Sequence, residues 1–227
     1  MLENSGHNEI TLSSLSTSDY RQLRELTDEL IPYCTGGRIN LSVPSLRADN
    51  FSDEQVMQAI RYCHSHGVKV HITMNTLISD DELTEAMSVV KRVCQWGADV
   101  LILQDLGLAK LVSEAAPDIE RHASTQMSVQ TLSGVRLLEE LGYSRVVLPR
   151  EMTKDEIKNI TDNCKAETEI FVHGAHCMSV SGQCYMSAMF GSRSGNRGAC
   201  AQPCRREYRL KYRGYNIGNG YLLSTHD

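Results

Sequence analysis

The sequence predicts an α/β fold, a TIM-like (β/α) barrel of parallel strands that carries a Cys-rich loop and a small β-hairpin. Three observations predict it. Short apolar runs rich in β-branched residues recur along the chain, and amphipathic segments with helix start and stop signals lie between them. The strand-like runs return at intervals of about 20 to 30 residues, the spacing of βαβ units in a parallel sheet.

The predicted strands, in order, are "EITLSS" from Glu9, "INLSV" near Ile39, "VKVHITM" from Val68, "DVLILQ" from Asp99, "ERHASTQ" from Glu120, "RVVLP" from Arg145 and "EIFVHG" from Glu169. Between them, "SDYRQLRELTDELI" places Leu23, Leu26 and Leu30 on one face of a helix. "SDEQVMQAIRYCHSHG" opens on a Ser52 cap and stops at Gly67, and "SDDELTEAMSVVKRVCQWG" repeats that plan between Ser79 and Gly97. A parallel series this long favours a barrel over an open doubly wound sheet. The open sheet would also place a Gly-rich phosphate turn after an early strand, whereas "CTGGR" precedes one. An eight-stranded barrel needs one more strand, so the chain is read as truncated before its last strand. Residues 1–172 are then the barrel strands and helices, 173–204 a Cys-rich loop at the barrel mouth, and 205–227 a basic hairpin with a Gly/Asn turn and the start of the remaining barrel segment.

With 227 residues and 41% hydrophobic content, the chain can bury a sizeable core. Its start, "MLENSGHNEI", lacks the basic and apolar regions of a signal peptide, and no run approaches the roughly 18 apolar residues of a membrane helix. No membrane partner is expected and the compartment is read as cytoplasmic. A reducing compartment directs eight cysteines toward metal binding, catalysis or burial. Cys34, Cys63, Cys94 and Cys164 stand singly beside apolar residues and are read as small buried hydrophobes. The other four fall in "HGAHCMSVSGQCYMSAMFGSRSGNRGACAQPC". Six residues separate Cys177 from Cys184, fifteen separate Cys184 from Cys200, and three separate Cys200 from Cys204.

Four thiolates can close a structural zinc site or an iron–sulfur cluster. Zinc sites usually present two close pairs, and only Cys200 and Cys204 fit that spacing; the wider arrangement suits a larger cluster. The net charge is −5, yet Gly191 to Arg213 holds seven basic residues against one acid, Glu207. Arg205, Arg206, Arg209, Lys211 and Arg213, with Tyr208, Tyr212 and Tyr215 interleaved, form a candidate strip for phosphates and stacked bases. The plainer reading is a solvated hairpin face.

In a βα barrel, chemistry sits at the carboxyl ends of the strands. Asn75, Asp105, Ser124, Gln126, Arg150, Glu151 and His173 are placed there, and Asn75, Gln126, Arg150, Glu151 and His173 are the candidate catalytic set. Each has a structural reading as well: Asn75 and Asp105 as helix caps, Arg150 with Glu151 as an ion pair, and His173 as a packed, hydrogen-bonded imidazole.

"EIFVHGAHCMSVSGQCYMS" followed by "NRGACAQPCRREY" closely resembles the signature of peptidase family U32, the collagenase-like proteins. The likeness extends through "NFSDEQVMQAI", "VKVHITMNTL", "GADVLILQDLGL", "HASTQMSVQ" and "VVLPREMTKDEI", and so covers the chain from about Ile39 onward. The resemblance implies an iron–sulfur protein supporting oxygen-independent hydroxylation of tRNA, ribosomal RNA or a ubiquinone precursor, with prephenate as hydroxyl source. It implies Cys177, Cys184, Cys200 and Cys204 as ligands of a 4Fe-4S cluster. It also implies a further barrel strand, which this sequence lacks and which a partner subunit or a longer chain would supply. The opening departs from the family's usual first strand.

Proteolysis is the alternative activity. The sequence has no "HExxH" and no "GxSxG", although Cys184 can be paired with His173 or His176 as a cysteine nucleophile. A thiol bound to a cluster is not a nucleophile, so the two readings exclude each other. A third class is a non-catalytic RNA-binding protein with structural zinc.

Overall fold

The computed structural model describes residues 9–11, 29, 40–42, 52–172, 177–221 and 223. Six of the seven predicted strands are present where expected, and the seventh is displaced toward the N-terminus. β1 (Glu9–Thr11) pairs in parallel with β2 (Asn40–Ser42). β3 (His71–Met74), β4 (Val100–Leu103), β5 (Glu120–Ala123), β6 (Arg145–Val147) and β7 (Glu167–Glu169) form one parallel sheet in sequential order. Among the described residues the two sheets are not joined and no closed barrel forms. The helix expected around Leu23, Leu26 and Leu30 lies outside the described residues, as does Cys34.

The intervening helices follow local chemistry. α1 (Asp53–Ser65) begins with a reciprocal capping box between Ser52 and Gln55, and Gly67 just beyond it takes φ +71°. α2 (Leu83–Trp96) ends on Gly97 at φ +86°. Its start corrects the expectation for Ser79: Glu82 is the N-cap, and its carboxylate accepts from Ser79 N at 2.9 Å and Ser79 Oγ at 2.6 Å, which adds a turn before the helix. α3 (Leu106–Ala115), α4 (Leu132–Glu140) and α5 (Lys154–Asn163) are capped by Asp105, Thr131 and Thr153.

Alternation along each strand divides the sheet's two faces. Leu101, Leu103, Ala123, Val146 and Leu148 enter a core with Val90, Val93, Leu108, Val112, Val135, Leu138 and Ile160 from the helices. Each fully buried Leu or Ile there contributes roughly 1.5–3 kcal/mol. The opposite face is polar. In register across it lie Ile102, His122, Arg145 and Glu167, with Arg145 bonded to Glu167 at 2.6 Å and Glu169 at 3.1 Å.

Three local expectations change. The last strand of the sheet lies earlier than "EIFVHG": its ladder ends where Leu148 N donates to Glu169 O at 2.8 Å, beside Pro149, which has no N–H to extend it. Ile170, Phe171 and Val172 are therefore outside the sheet and exposed. The hairpin, β8 (Tyr208–Tyr212) with β9 (Tyr215–Gly220), turns on Arg213 and Gly214 at φ +46° and +85°, as a two-residue hairpin loop requires, and its Asn and Gly residues sit inside β9. Among the single cysteines, Cys94 is exposed and Cys63 and Cys164 are half-buried, with Cys164 packed against the edge of the core.

Candidate functional site

The carboxyl ends of β3, β4 and β5 are level, with Met74, Leu103 and Ala123 in register. The residue that follows each strand is polar, so Asn75, Gln104 and Ser124 form one row on the face opposite the helix core. Ser124 N continues the ladder to Leu103 O at 2.9 Å. Asn75 Nδ2 donates to Ser124 Oγ at 3.5 Å, and Gln104 Nε2 donates to the Gln126 carbonyl at 3.3 Å. Asn75 is thus a member of this row, whereas Asp105 is structural: it caps α3 through Leu108 N at 2.8 Å and accepts from Ile78 N at 3.2 Å.

Gln126 lies in a 3₁₀ turn, Thr125–Met127, capped by Ser124. The turn ends on Ser128 at φ +57°, which aims its hydroxyl at the Cys-rich loop. Ser128 Oγ donates to Ser181 O and accepts from Gln183 Nε2 at 3.1 Å. Gly182 packs so closely here that a Cβ would lie 2.0 Å from the Gln126 carbonyl oxygen.

Glu151 and Arg150 follow β6. They do not form the expected ion pair; Glu151 Oε1 and Oε2 accept from Ser181 N and Oγ, both at 3.0 Å, and Oε1 also accepts from Gln130 at 2.9 Å. Burial works to raise the Glu151 pKa, but these hydrogen bonds and the nearby Arg150 charge outweigh it and hold the carboxyl below its ordinary range. Arg150 is half-buried, its Nε has no hydrogen-bond partner among the described residues, and its Cζ lies 5.8 Å from the centroid of the Phe171 ring.

A second anchor holds the later part of the loop. Leu77 N donates to Asn196 O at 3.0 Å, Arg197 Nη1 donates to Leu77 O at 3.3 Å, and Arg197 pairs with Glu82. Bonds from Ser79, then Arg197, lower Glu82 to about 2. Between the anchors, Ser187 at the start of the short helix α6 (Met186–Gly191) is buried and accepts from Ala201 N at 2.9 Å.

The four cysteines are carried by this pinned segment. Cys177, Cys184 and Cys204 are half-buried and Cys200 is exposed. Burial first, and then the charges of Cys177, Cys200 and Cys184, push the Cys204 thiol pKa up, while Arg205 opposes them. Among the described residues, no three His, Cys, Asp or Glu side chains are grouped tightly enough to hold a single metal ion. His173 and His176 lie outside the described residues.

The basic strip is shorter than expected. Arg197 is committed to Glu82, Arg193 donates to Ala199 O at 3.1 Å, and Arg205 is half-buried in the 3₁₀ turn Pro203–Arg205. Arg206, Arg209, Lys211 and Arg213 are exposed, and alternation along β8 sets Arg209 and Lys211 on one face. The site residue that sequence reasoning missed is Gln104, 7% exposed; the polar end of "DVLILQ" was its signal.

The 23S rRNA 5-hydroxycytidine C2501 synthase of Escherichia coli is 40% identical over 158 residues, 70% of this chain and 24% of that protein. The tRNA hydroxylation protein P of Escherichia coli is 34% identical over 167 residues, 73% of this chain and 37% of that one. A collagenase of Porphyromonas gingivalis is 32% identical over 206 residues, 82% of this chain and 48% of that one. The chain thus spans between a quarter and a half of the length of these relatives. The solved structure of the U32 peptidase Mk0906 superposes with a TM-score of 0.45 at 16% identity, over 56% of this chain and 53% of that one. No helix of the described residues is long and apolar enough to cross a membrane. The model of peptidase family U32 matches residues 28–227, which include every residue of the strand-end row and both anchors of the cysteine loop, and the chain belongs to that family.

Proposed function

We propose that this chain is the site-bearing part of an enzyme that hydroxylates a pyrimidine of tRNA or ribosomal RNA without oxygen, using a 4Fe-4S cluster held by Cys177, Cys184, Cys200 and Cys204. Prephenate is the hydroxyl donor in this reading, and the strands complete a barrel with segments from a longer chain or a partner subunit. The observation that carries the proposal is the double anchoring of the four-cysteine segment over the carboxyl ends of the sheet, by Glu151 with Ser181 and by Glu82 with Arg197. The donor set fits the cluster: four cysteines fall within one anchored segment, and thiolate sulfur is the common ligand of iron–sulfur clusters. The names of the RNA-modifying relatives support the substrate class.

When bound, the cluster would supply electrons or a labile sulfur. The chain's own residues supply placement. The row of Asn75, Gln104 and Ser124 offers neutral hydrogen-bonding groups, Arg150 offers a cation, and the cysteine loop closes over the Gln126 turn. Arg206, Arg209, Lys211 and Arg213 offer charge for the RNA backbone.

The test has two parts. Protein purified without oxygen should contain about four irons and four sulfides per chain, lost in Cys177→Ala. RNA from cells lacking the gene should lack a hydroxylated pyrimidine nucleoside by mass spectrometry. Stoichiometric zinc in place of iron would support the structural-zinc reading. Metal-free protein that cleaves collagen through a reactive Cys184 would support proteolysis, the reading favoured by the name of the Porphyromonas relative.

A further inference from the structure

We propose that Gln104 and Arg150 form a nucleotide subsite, in which the Gln104 amide oxygen accepts from an N–H on the base edge while the Arg150 guanidinium holds the phosphate. The inference rests on the RNA reading above and deepens it by naming the residues that read the base.

Gln104 is buried, and its Oε1 has no hydrogen-bond partner among the described residues. The amide cannot gain one by flipping. Its Nε2 donates to the Gln126 carbonyl at 3.3 Å, and the reverse orientation would set two acceptors against each other. The carbonyl itself is held in place, since Gly182 of the cysteine loop packs directly on it. An oriented, buried and unpaired acceptor is a recognition element for a ligand donor. Neither inorganic phosphate nor a simple carboxylate anion carries the N–H that would complement it.

Arg150 supplies the other half. Its Nε is likewise unpaired, and the neighbouring carboxylate, Glu151, is committed to Ser181 and Gln130. Gln104 directly follows β4, level with Val147 at the end of β6, and Arg150 lies three residues past Val147, with β5 between the two strands. At about 4.8 Å between neighbouring strands, β4 and β6 are about 10 Å apart across the sheet. A mononucleotide spans that distance from base edge to 5′-phosphate. A base reaches such a site only when it leaves its stack, as enzymes that do chemistry on bases require.

The experiment titrates uridine 5′-monophosphate, cytidine 5′-monophosphate, 3-methyluridine 5′-monophosphate and ribose 5-phosphate into the protein by calorimetry or NMR. The variants are Gln104→Leu and Arg150→Met. Wild type should bind uridine monophosphate about tenfold more tightly than its 3-methyl form or ribose 5-phosphate, because methylation removes the imide donor. Gln104→Leu should abolish that preference, and Arg150→Met should weaken all the phosphates about tenfold. Equal binding of all four ligands to wild type, or a preference that survives Gln104→Leu, overturns the subsite and leaves Gln104 holding a water. The wild-type comparison stands even if a variant fails to fold. Because binding is measured without turnover, a missing preference beside confirmed RNA hydroxylation removes only the subsite.

Discussion

Glu151 and Ser181 meet through two hydrogen bonds of 3.0 Å each, one to the buried backbone N–H of Ser181 and one to its hydroxyl. Glu151 therefore belongs to the support of the cysteine loop, and it joins the end of β6 to the segment between Cys177 and Cys184. Glu151→Ala leaves the Ser181 N–H buried without an acceptor. It should destabilise the protein by about 2 kcal/mol. Glu151→Gln keeps one amide oxygen as acceptor and should cost about half as much. Thermal melting reads the stability, and iron per chain after anaerobic purification reads the loop; wild-type values in Glu151→Ala would refute the anchoring role.

Gly182 makes a sharper steric prediction. It has φ +76°, and a Cβ would lie 2.0 Å from Gln126 O and 2.7 Å from Ser128 Oγ, so Gly182→Ala must displace the loop. Gly214 has φ +85° with nothing within 4 Å, so Gly214→Ala should cost only the backbone strain of about 1 kcal/mol. Melting curves of the two variants should separate by several degrees, with loss of bound iron confined to Gly182→Ala.

The strands were legible because each is a short apolar run between capped helices, and burial against those helices is what such runs encode. β7 was misplaced for the same reason: Ile170, Phe171 and Val172 have the composition of a strand, but the ladder beside them stops at Pro149. Cysteine spacing located the loop, yet not what holds it. Ser181, Ser128 and Arg197 come from distant segments, and only the fold brings them to Glu151, Gln183 and Glu82. Gln104 escaped notice because an amide at a strand end is a common residue. Its unpaired oxygen becomes visible only when every neighbour is placed.

The hairpin charges predict a salt signature. Arg209 and Lys211 are exposed on one face of β8, with Arg206 just before the strand. If they contact RNA phosphates, replacing any one with Ala lowers affinity for all sequences alike. The slope of log affinity against log salt should fall by about 0.7 per cation removed for single-stranded RNA. An unchanged slope in the Arg209→Ala, Lys211→Ala double variant would show that the hairpin does not touch the backbone of the RNA.

His122 predicts how stability depends on pH. It is 1% exposed on the polar face of the sheet, its ring 5.1 Å from that of His71, with Glu120 Oε1 at 3.5 Å. Burial, then the charges of Arg145 and His71, depress its pKa from 6.5 to about 4, and Glu120 only partly offsets them. The folded protein therefore holds His122 neutral in a range where the unfolded chain protonates it. The unfolded state binds the extra proton between pH 6.5 and 4, so stability is full above 6.5 and falls as the pH drops through that window. The ceiling on this loss is roughly 3 kcal/mol. The depressed carboxyls of Glu151 and Glu82 add losses mainly below that window, as pH falls through their own pKa values. Urea denaturation at pH 7 and pH 5 should show the fall in wild type and a smaller one in His122→Phe, which removes the titrating group and keeps the ring volume. Identical pH dependence in the two proteins would mean that the imidazole is solvated and titrates normally.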